Sequence, residues 1–439
     1  MVTPSLLSGF DEYLPDEQML FNHLFDTIRH SYEHFGFLPI ETPAIEKAEI
    51  LLAKGGGETE KQMYRWTHGK SEQSEGYEVA LHFDLTVPLA RYVAQHFHEL
   101  TFPFKRFQMQ KVWRAERAQK GRAREFYQCD ADILDTGPVN LLNDAELVGV
   151  IVRTFEAMGT PPVIVKINNR KILQGFFASL GLEKQNTEVL RIIDKLDKIG
   201  TEGVLKELNL LGVTAKDLEK IMDFISLKGS PEEVFLAVKK LTCANEIFLQ
   251  GLKELEEVIG YIQMAQIPED SYMVDFTIAR GLDYYTGTVY ETNLKDYPGL
   301  GSVCSGGRFD QLVSHYSKQE IHGVGVSIGL TRLFAQLRET GILNDRKKGS
   351  ADVLIANIQN TALSERLSLA TQLRASGVRV DVYSGHHKLG KQFEYAENLH
   401  IKKVVILGED EAARGVVKVR DMESKNEVER GITDIVKML

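Results

Sequence analysis

Apolar residues recur at helical spacing near the start of the chain and then give way to short runs typical of strands. One set is spaced by four residues, between a proline and a glycine that suit helix ends: Leu20, Leu24, Ile28 and Tyr32. This spacing predicts a helix over residues 16–35. Residues 37–43 predict a short strand, which Pro39 and Pro43 interrupt.

The middle of the chain changes from strand patterns to helix patterns and back. Residues 102–133 predict two strands joined by a polar turn. Residues 168–265 are rich in Leu, Ile, Lys and Glu at helical spacing, which predicts a mainly helical insertion. Strand signals return at 272–278 and 287–292, and a Gly-rich segment follows at 301–307.

The last part of the chain has a different rhythm, after a polar stretch at 344–350 that is typical of a linker. Strand and helix patterns alternate there in this order: strand 353–358, helix 362–376, strand 378–383, helix 388–399 and strand 404–407. Such alternation predicts a small α/β domain with a largely parallel sheet.

Composition places the 439 residues among ordinary globular proteins, since 43% are hydrophobic and 26% are charged. No apolar run approaches the roughly 18 residues that cross a bilayer, and the N-terminus lacks the basic and apolar regions of a secretory signal. The three cysteines are too far apart for a Cys-x-x-Cys site, so we expect a reducing cytoplasm.

Charge is distributed unevenly along the chain. The formal net charge of −10 argues against a wholly basic nucleic-acid surface. Residues 105–124 are nevertheless strongly basic, and Glu116 is their single acid. Bases and acids balance over residues 352–439, so the negative excess lies in the remainder. This imbalance indicates separate domains with different partners.

The predicted hairpin carries polar side chains at alternating positions, which places them on one face of each strand. We expect Arg114 and Glu116 to share a face of the first strand. Three residues are expected to share a face of the second: Gln128, Asp130 and Asp132. Because unpaired buried charges are costly, this set indicates a charged ligand. Arginines in or beside the turn could reach a polyphosphate or a nucleic-acid backbone: Arg117, Arg122 and Arg124. The alternative is a solvated basic hairpin.

Two later clusters also combine polar side chains with glycines. Residues 280–287 contain an arginine, an aspartate and two tyrosines, which suit either a polar pocket or an edge strand with stacked tyrosines. Residues 304–310 contain the paired Gly306 and Gly307, which permit close approach of a ligand but also fit an ordinary turn.

These segments follow the order of motifs in a known family. The helix 16–35 with the strand ending at Pro43 matches the first motif, residues 104–116 with 124–128 match the second, and residues 323–333 match the third. Three further segments match signatures of one branch: 54–64, 280–285 and 305–310. Together they resemble the class II aminoacyl-tRNA synthetases and, among them, the histidyl-tRNA synthetase family, over nearly the whole chain.

The resemblance implies an α+β catalytic core, with an antiparallel sheet flanked by helices, a helical insertion and a C-terminal α/β domain. The implied domains are a core with motifs 1 and 2 (1–167), an insertion (168–265), a core with the histidine signatures and motif 3 (266–343), a linker (344–350) and an anticodon-binding domain (351–439). It also implies a homodimer, because motif 1 forms the interface in the family.

The implied activity is ATP-dependent ligation of histidine to its tRNA through a histidyl-adenylate. ATP is then a substrate that carries Mg²⁺, and the partners are histidine, ATP, histidine tRNA and a second copy of the chain, with no membrane. The alternative is a catalytically inactive paralog that acts as a histidine-binding regulatory subunit or a tRNA sensor. Residues 280–285 and the C-terminal domain favour the enzyme.

The resemblance also implies roles for individual residues. The residues that match catalytic positions are Arg280 and Arg114. The nucleotide site comprises Arg114, Glu116, Arg122 and Arg332. Asp84, Thr86 and Gln128 match positions that hold the ammonium group of histidine, and Asp132 and Tyr285, with Tyr284 beside them, match positions around the imidazole. Arg117 and Gln119 match contacts to the tRNA acceptor end, and no side chain is assigned to a metal.

Three positions depart from the common bacterial pattern. Thr331 stands where motif 3 usually has an acid, which weakens any metal or adenine contact there. Ala118 replaces a frequent proline in the motif 2 loop, so contacts to the acceptor end differ. The segment 84–86 lacks the familiar Glu and is closer to the eukaryote-like branch.

Overall fold

The computed structural model describes residues 2–53, 58–69, 76–117, 123–241, 243–278, 285–310, 313–343, 349–358 and 361–438. The chain divides into two compact units. The first contains residues 1–11 and 24–340, and the second contains residues 12–23 and 341–439. No helix in the described ranges is long and apolar enough to cross a membrane.

The strands lie between helices along most of the chain. In chain order they are β1 (Leu38–Pro39), β2 (Ile45–Lys47), β3 (Arg65–His68), β4 (Tyr77–Leu81), β5 (Phe104–Trp113), β6 (Glu125–Thr136), β7 (Val163–Asn169), β8 (Tyr272–Val274), β9 (Thr288–Leu294), β10 (Cys304–Phe309), β11 (Ile321–Gly329), β12 (Val353–Ile355), β13 (Val380–Val382), β14 (Lys403–Ile406), β15 (Val416–Asp421) and β16 (Glu427–Gly431).

The helices vary from single turns to five turns. In chain order they are α1 (Pro15–His34), α2 (Ala48–Leu51), α3 (Glu58–Lys61), α4 (Thr86–Gln95), α5 (Leu142–Ala157), α6 (Arg170–Ser179), α7 (Asn186–Ile193), α8 (Leu196–Leu210), α9 (Ala215–Ile225), α10 (Pro231–Lys239), α11 (Glu246–Met264), α12 (Leu330–Glu339), α13 (Leu363–Ala375), α14 (Leu389–Asn398), α15 (Glu409–Ala413) and α16 (Ile432–Met438).

The first unit is organised by a large sheet, which has eight strands within the described residues in the order β1-β5-β6-β11-β10-β9-β7-β8. All neighbours are antiparallel except at the two edges, where β1 pairs with β5 and β7 pairs with β8 in parallel. The predicted antiparallel core is therefore confirmed. A smaller sheet, in the order β2-β4-β3, precedes α4.

One face of the large sheet is mainly apolar and is covered by helices. The predicted first helix is confirmed as α1, whose Tyr32 is fully buried and donates its hydroxyl proton to the carbonyl oxygen of Cys129 at 2.9 Å. Gly36 follows the helix with a φ of +77°, a conformation that suits glycine after a helix end. Helix α5 packs on the same face and accepts a hydrogen bond from Tyr290 through the carbonyl oxygen of Asp144 at 3.0 Å.

The predicted helical insertion is confirmed as α6 to α11, although its expected start at residue 168 falls inside β7. Its aromatic core joins it to the sheet unit: the ring of Phe224 stacks on Phe176 at 4.2 Å and on Phe276, just after β8, at 4.7 Å. Apolar residues at helical spacing therefore find their partners within the same unit.

The second unit contains a sheet with five strands among the described residues, in the order β13-β12-β14-β15-β16. The alternating elements predicted up to residue 407 are confirmed, and β13, β12 and β14 are parallel. The expectation of a largely parallel sheet is wrong for β15 and β16, which are antiparallel. Their short connections explain this, because a parallel crossover needs a dozen or more residues. The predicted linker residues 344–348 lie outside the described residues.

Candidate active site

A band of polar residues crosses the second face of the large sheet. Residues opposite each other on neighbouring antiparallel strands point to the same side. The register joins one polar row: Gln108, Asp130, Ser327, Ser305, Glu291 and Lys166. A second row lies two residues along each strand: Arg106, Asp132, Gly325 and Gly307. The predicted common face of the three polar residues on β6 is confirmed, and Gln128 lies beside Asp130 in this band.

Arg106 and Asp132 form a buried ion pair on this face. The side chain of Arg106 is fully buried, and its Nη2 lies 2.6 Å from Oδ2 of Asp132. The N–H bonds of Arg106 are poorly aligned with this contact, so it is an ion pair without a well-formed hydrogen bond. Nη1 of Arg106 donates to Gln108 at 3.5 Å, at the long limit for a hydrogen bond.

The carboxyl groups of Asp130 and Asp132 are both buried, and burial is the main reason that their pKa values are raised. The pKa of Asp130 rises to about 6, because burial outweighs the positive charge of Arg106 and hydrogen bonds from Ser327 and Gln128. The pKa of Asp132 rises to about 7, because burial and the charges of Asp130 and Asp84 outweigh Arg106. Each carboxyl group therefore holds its proton to a higher pH than an ordinary aspartate does.

Asp84 and Thr86 lie where the small sheet leads into α4. Both are buried, and Oδ1 of Asp84 accepts a hydrogen bond from the backbone N–H of Val87 at 3.0 Å. The negative charge of Asp84 raises the pKa of both Asp130 and Asp132, which places the three carboxyl groups in one electrostatic environment. The loop before α4 therefore supplies a third acid to the polar face.

The three carboxyl groups of Asp84, Asp130 and Asp132 form an acidic cluster. Arg114 lies beside this cluster and packs against aromatic rings. Its guanidinium lies 4.3 Å from the ring of Phe83 and 5.0 Å from the ring of Phe126. Nη2 donates to Oε1 of Gln128 at 3.3 Å, and Nε donates to the carbonyl oxygen of Phe83 at 3.3 Å. Arginine and the acidic cluster are thus connected through the amide of Gln128, whose Nε2 donates to Ser327 at 2.9 Å.

The expectation that Arg114 and Glu116 share a strand face is wrong. Strand β5 ends at Trp113, and the backbone then leaves the ladder because the N–H of Ala115 donates to the carbonyl oxygen of Gln62 at 2.6 Å. Glu116 lies in the following loop, where its carbonyl oxygen accepts from Nε of Arg124 at 2.9 Å. Alternation ends with the strand, so it does not relate the side chains beyond it.

Gly325 and Gly307 form a glycine row across β11 and β10. Tyr285 lies over this row, and β11 separates it from Asp132. A Cβ on Gly307 would lie 2.9 Å from Cδ1 of Tyr285, and a Cβ on Gly325 would lie 1.9 Å from Oδ1 of Asp132. The two glycines therefore let a phenol and a carboxyl group approach the same row of the sheet. Adjacent strands are about 4.8 Å apart, so the backbones of Gly307 and Asp132 are separated by about 10 Å.

Thr331 and Arg332 lie in the first turn of α12, which follows β11 directly. The hydroxyl oxygen of Thr331 accepts a hydrogen bond from the backbone N–H of Tyr127 at 2.9 Å, so this buried side chain joins the helix to β6. Nη2 of Arg332 donates to the carbonyl oxygen of Leu300 at 3.3 Å. The position that departs from the family pattern thus has a structural hydrogen bond.

Several residues singled out by the sequence are not placed. Arg280, Tyr284, Arg122 and Gln119 lie outside the described residues, as do the turn 118–122 and the early glycines 55–57. Arg117 is among the described residues and is exposed in the loop that follows β5. The structure thus brings together Asp84, Gln128, Asp132, Tyr285 and Arg114 around one face, and the buried Thr86 begins α4 two residues after Asp84.

Sequence reasoning missed Arg106 and Ser327. Arg106 shares the alternation of Gln108 on β5, so its inward direction was readable once the hairpin was predicted. Its basic neighbours in residues 105–124 instead suggested a surface patch. Ser327 carries no such signal, because its place opposite Asp130 depends on the order of strands in the sheet.

The arrangement suits a small ligand that carries positive and neutral polar groups next to an anion. Buried carboxylates attract an ammonium group and accept N–H hydrogen bonds. The guanidinium of Arg114 is permanently charged and lies beside them, which favours phosphate or carboxylate oxygens at that edge.

Comparisons with known proteins agree over the whole chain. The family model described as histidyl-tRNA synthetase matches residues 9–333, and the model described as anticodon binding domain matches residues 352–439. A protein named histidine–tRNA ligase from Clostridium tetani is 48% identical over 100% of this chain and 98% of its own length. A protein of the same name from Stenotrophomonas maltophilia is 46% identical over 98% of this chain and 96% of its own length.

A solved structure shows the same architecture. The crystal structure of histidyl-tRNA synthetase from Nostoc sp. PCC 7120 matches with a TM-score of 0.91 and 41% sequence identity, covering 100% of this chain and 99% of that one. The similarity therefore extends through the large sheet, the helical insertion and the C-terminal sheet.

Proposed function

The chain belongs to the histidyl-tRNA synthetase family, and from this premise we propose that it joins histidine to its tRNA in an ATP-dependent reaction in the cytoplasm. The observation that supports this most directly is the acidic cluster on the large sheet, bracketed by Tyr285 and by Arg114. No observation favours an inactive paralog.

We assign histidine to the acidic cluster. Asp84, Thr86 and Gln128 hold its ammonium group, since each offers an oxygen that accepts hydrogen bonds and all three are buried. Asp132 and Tyr285, with Tyr284, bind the imidazole. An imidazole offers one donor and one acceptor, so a carboxylate and a phenol satisfy both, whereas an apolar side chain leaves them unpaired.

We assign ATP to the edge next to Arg114, with Glu116, Arg122 and Arg332 completing the nucleotide site. The carboxylate oxygen of histidine attacks the α-phosphorus, the bond to the bridging oxygen breaks, and pyrophosphate leaves. Arg114 binds the α-phosphate, and Arg280, by family resemblance, bridges this phosphate and the histidine carboxylate. The protein contributes position and fixed positive charge, which stabilise the transition state without covalent participation.

Mg²⁺ enters with the phosphates of ATP in this proposal, and no side chain is assigned to it. Among the residues that the structure describes, no cluster of three or more His, Cys, Asp or Glu side chains is arranged to hold a metal ion.

The adenylate then reacts with the 3′ end of histidine tRNA, which releases AMP. We place the acceptor end near Arg117 and Gln119, because the exposed side chain of Arg117 lies in the loop that leaves the site. We place the anticodon on the second unit, over the residues that match the anticodon-binding family.

We also propose a homodimer through motif 1. The small sheet next to it exposes large apolar side chains on one face: Ile45 is 51% exposed, Trp66 is 41% exposed and Tyr77 is 52% exposed. A second copy would cover this face. Sedimentation of Trp66→Glu should show monomers, whereas Leu210→Glu, at a residue 79% exposed on α8, should remain dimeric. Monomeric wild type would contradict this assignment.

ATP–pyrophosphate exchange with each of the twenty amino acids, without tRNA, tests the activation step. We expect exchange with histidine alone. Exchange is then repeated with Asp132→Ala, which should raise the histidine requirement far more than the ATP requirement. No exchange with any amino acid from folded protein would contradict the proposed function, and equal effects on both substrates would remove Asp132 from the imidazole site.

A further inference from the structure

Arg106 lies directly beside Asp132, the residue that we place against the imidazole. It is opposite Asp132 on the neighbouring strand, and the two side chains meet at 2.6 Å. On the other side of Asp132, the absence of a side chain at Gly325 gives the carboxyl group its space, because a Cβ there would lie 1.9 Å from Oδ1. The carboxyl group is therefore confined between an arginine and a glycine.

The hydrogen bonds of Arg106 are incomplete. Its Nε and Nη2 make no hydrogen bond to the described residues, although the side chain is fully buried. Replacing a buried ion pair by apolar residues is often neutral for stability, so an incompletely bonded pair contributes little as a structural element. The location of this pair in the ligand-binding face gives it another role.

We propose, resting on the proposed histidine site, that Arg106 is a positioning residue for substrate recognition: it holds the carboxyl group of Asp132 in place and favours its ionised form, in which this group accepts the imidazole N–H. Asp132 in its neutral form would present a hydroxyl donor to the same nitrogen. Recognition through an accepted hydrogen bond would then be lost.

The charged and titratable groups around Asp132 determine how its protonation responds to pH. Asp130 lies on the same strand, Arg106 on β5, Asp84 before α4 and Tyr285 beside β10, while β11 contributes Gly325 and Ser327. Burial, Asp130 and Asp84 all favour the neutral form of Asp132, and Arg106 opposes them. Removing Arg106 should therefore favour the neutral form, and removing the charge of Asp130 should favour the ionised form.

The test is histidine-dependent ATP–pyrophosphate exchange of the full chain between pH 6 and 9, with Arg106→Met, Arg106→Lys and Asp130→Asn. Arg106→Met should raise the KM for histidine about tenfold or more, change the KM for ATP less than about twofold, and move the acidic limb of kcat/KM to higher pH. Arg106→Lys should have a KM for histidine between those of wild type and Arg106→Met. Asp130→Asn should move the limb to lower pH.

Thermal melting of each variant separates recognition from folding. If Arg106→Met does not fold, Arg106→Lys and Asp130→Asn decide the matter through their pH profiles. Unmoved profiles, or equal changes in the KM for histidine and ATP, would overturn the inference. Wild type that is inactive with histidine would instead contradict the proposed function, so the two failures are distinguishable.

Discussion

Two buried arginine–aspartate pairs lie on opposite faces of the large sheet, and they differ in how completely they are bonded. On the helix-covered face, Arg308 of β10 binds Asp144 of α5 in a bidentate manner, through Nη2 to Oδ2 and through Nε to Oδ1 at 3.3 Å. On the polar face, Arg106 meets Asp132 through one poorly aligned contact.

The two pairs also differ in how many acidic groups surround the arginine. The positive charge of Arg308 opposes the effect of burial on the pKa of Asp144, with one further acid, Asp310, nearby. Arg106 faces the charges of Asp84, Asp130 and Asp132 together. The bidentate pair holds a helix against the sheet, whereas the pair with one poorly aligned contact and excess negative charge can still bind a cationic group that donates hydrogen bonds.

The largest effect should come from breaking the structural pair. Arg308→Met leaves Asp144 buried without its partner, so we expect a loss of about 4 kcal/mol in the free energy of unfolding. Urea unfolding measures it, and the KM for histidine should change less than about twofold. The double variant Arg308→Met/Asp144→Leu should regain much of the stability. A large rise in the KM for histidine would place this pair in the active site instead.

The next largest effect should come from adding a side chain to the glycine row, at Gly325. Gly325→Ala places a Cβ against Oδ1 of Asp132, so the carboxyl group must move and histidine-dependent exchange should fall about 100-fold. Gly323→Ala is the matched control on the same strand, because its Cβ would meet the ring of Phe309, 2.3 Å away. That variant should lower the melting temperature and largely keep the KM for histidine. Unchanged exchange in Gly325→Ala would contradict the placement of Asp132.

The acidic cluster should also make stability depend on pH. In the folded chain the pKa values of Asp130 and Asp132 are raised to about 6 and about 7, whereas unfolded aspartates release protons near pH 4. The folded state binds more protons in this window, so these groups lower the free energy of unfolding as pH rises from about 4 to 7. Relative to Asp130→Asn/Asp132→Asn, wild type should become steadily less stable as pH rises over this window, measured by urea unfolding. A pH-independent difference would contradict the raised pKa values of the two carboxyl groups.

Much of this face could be predicted from the sequence, since alternation along β6 correctly grouped Gln128, Asp130 and Asp132. The periodic apolar positions of α1 likewise identified a buried stripe, including Leu24 and Ile28. These are local patterns, set by the geometry of a single strand or helix.

The rest depended on contacts between distant segments. That β11 lies between β6 and β10, and so brings Gly325 beside Asp132 and Gly307 beside Gly325, is a property of sheet order. The end of β5 at Trp113 likewise depends on a hydrogen bond between Ala115 and Gln62, far apart in the chain. In the second unit, β16 is largely exposed and lacks the apolar run that would have revealed it.

The smallest expected effect concerns Thr331, where a neutral hydrogen bond can be set against the two charged pairs. The sequence alone indicates a weakened nucleotide contact at this position, but the hydroxyl oxygen accepts from the backbone N–H of Tyr127 at 2.9 Å. Thr331→Val keeps the shape and leaves that N–H without its acceptor, so we expect a loss of about 1 kcal/mol in the free energy of unfolding. Thr331→Ser is the control that retains the hydroxyl. Because the bond joins α12 to β6 rather than to a ligand, the KM for ATP should stay within about twofold, and a large rise in it without loss of stability would return Thr331 to the nucleotide site.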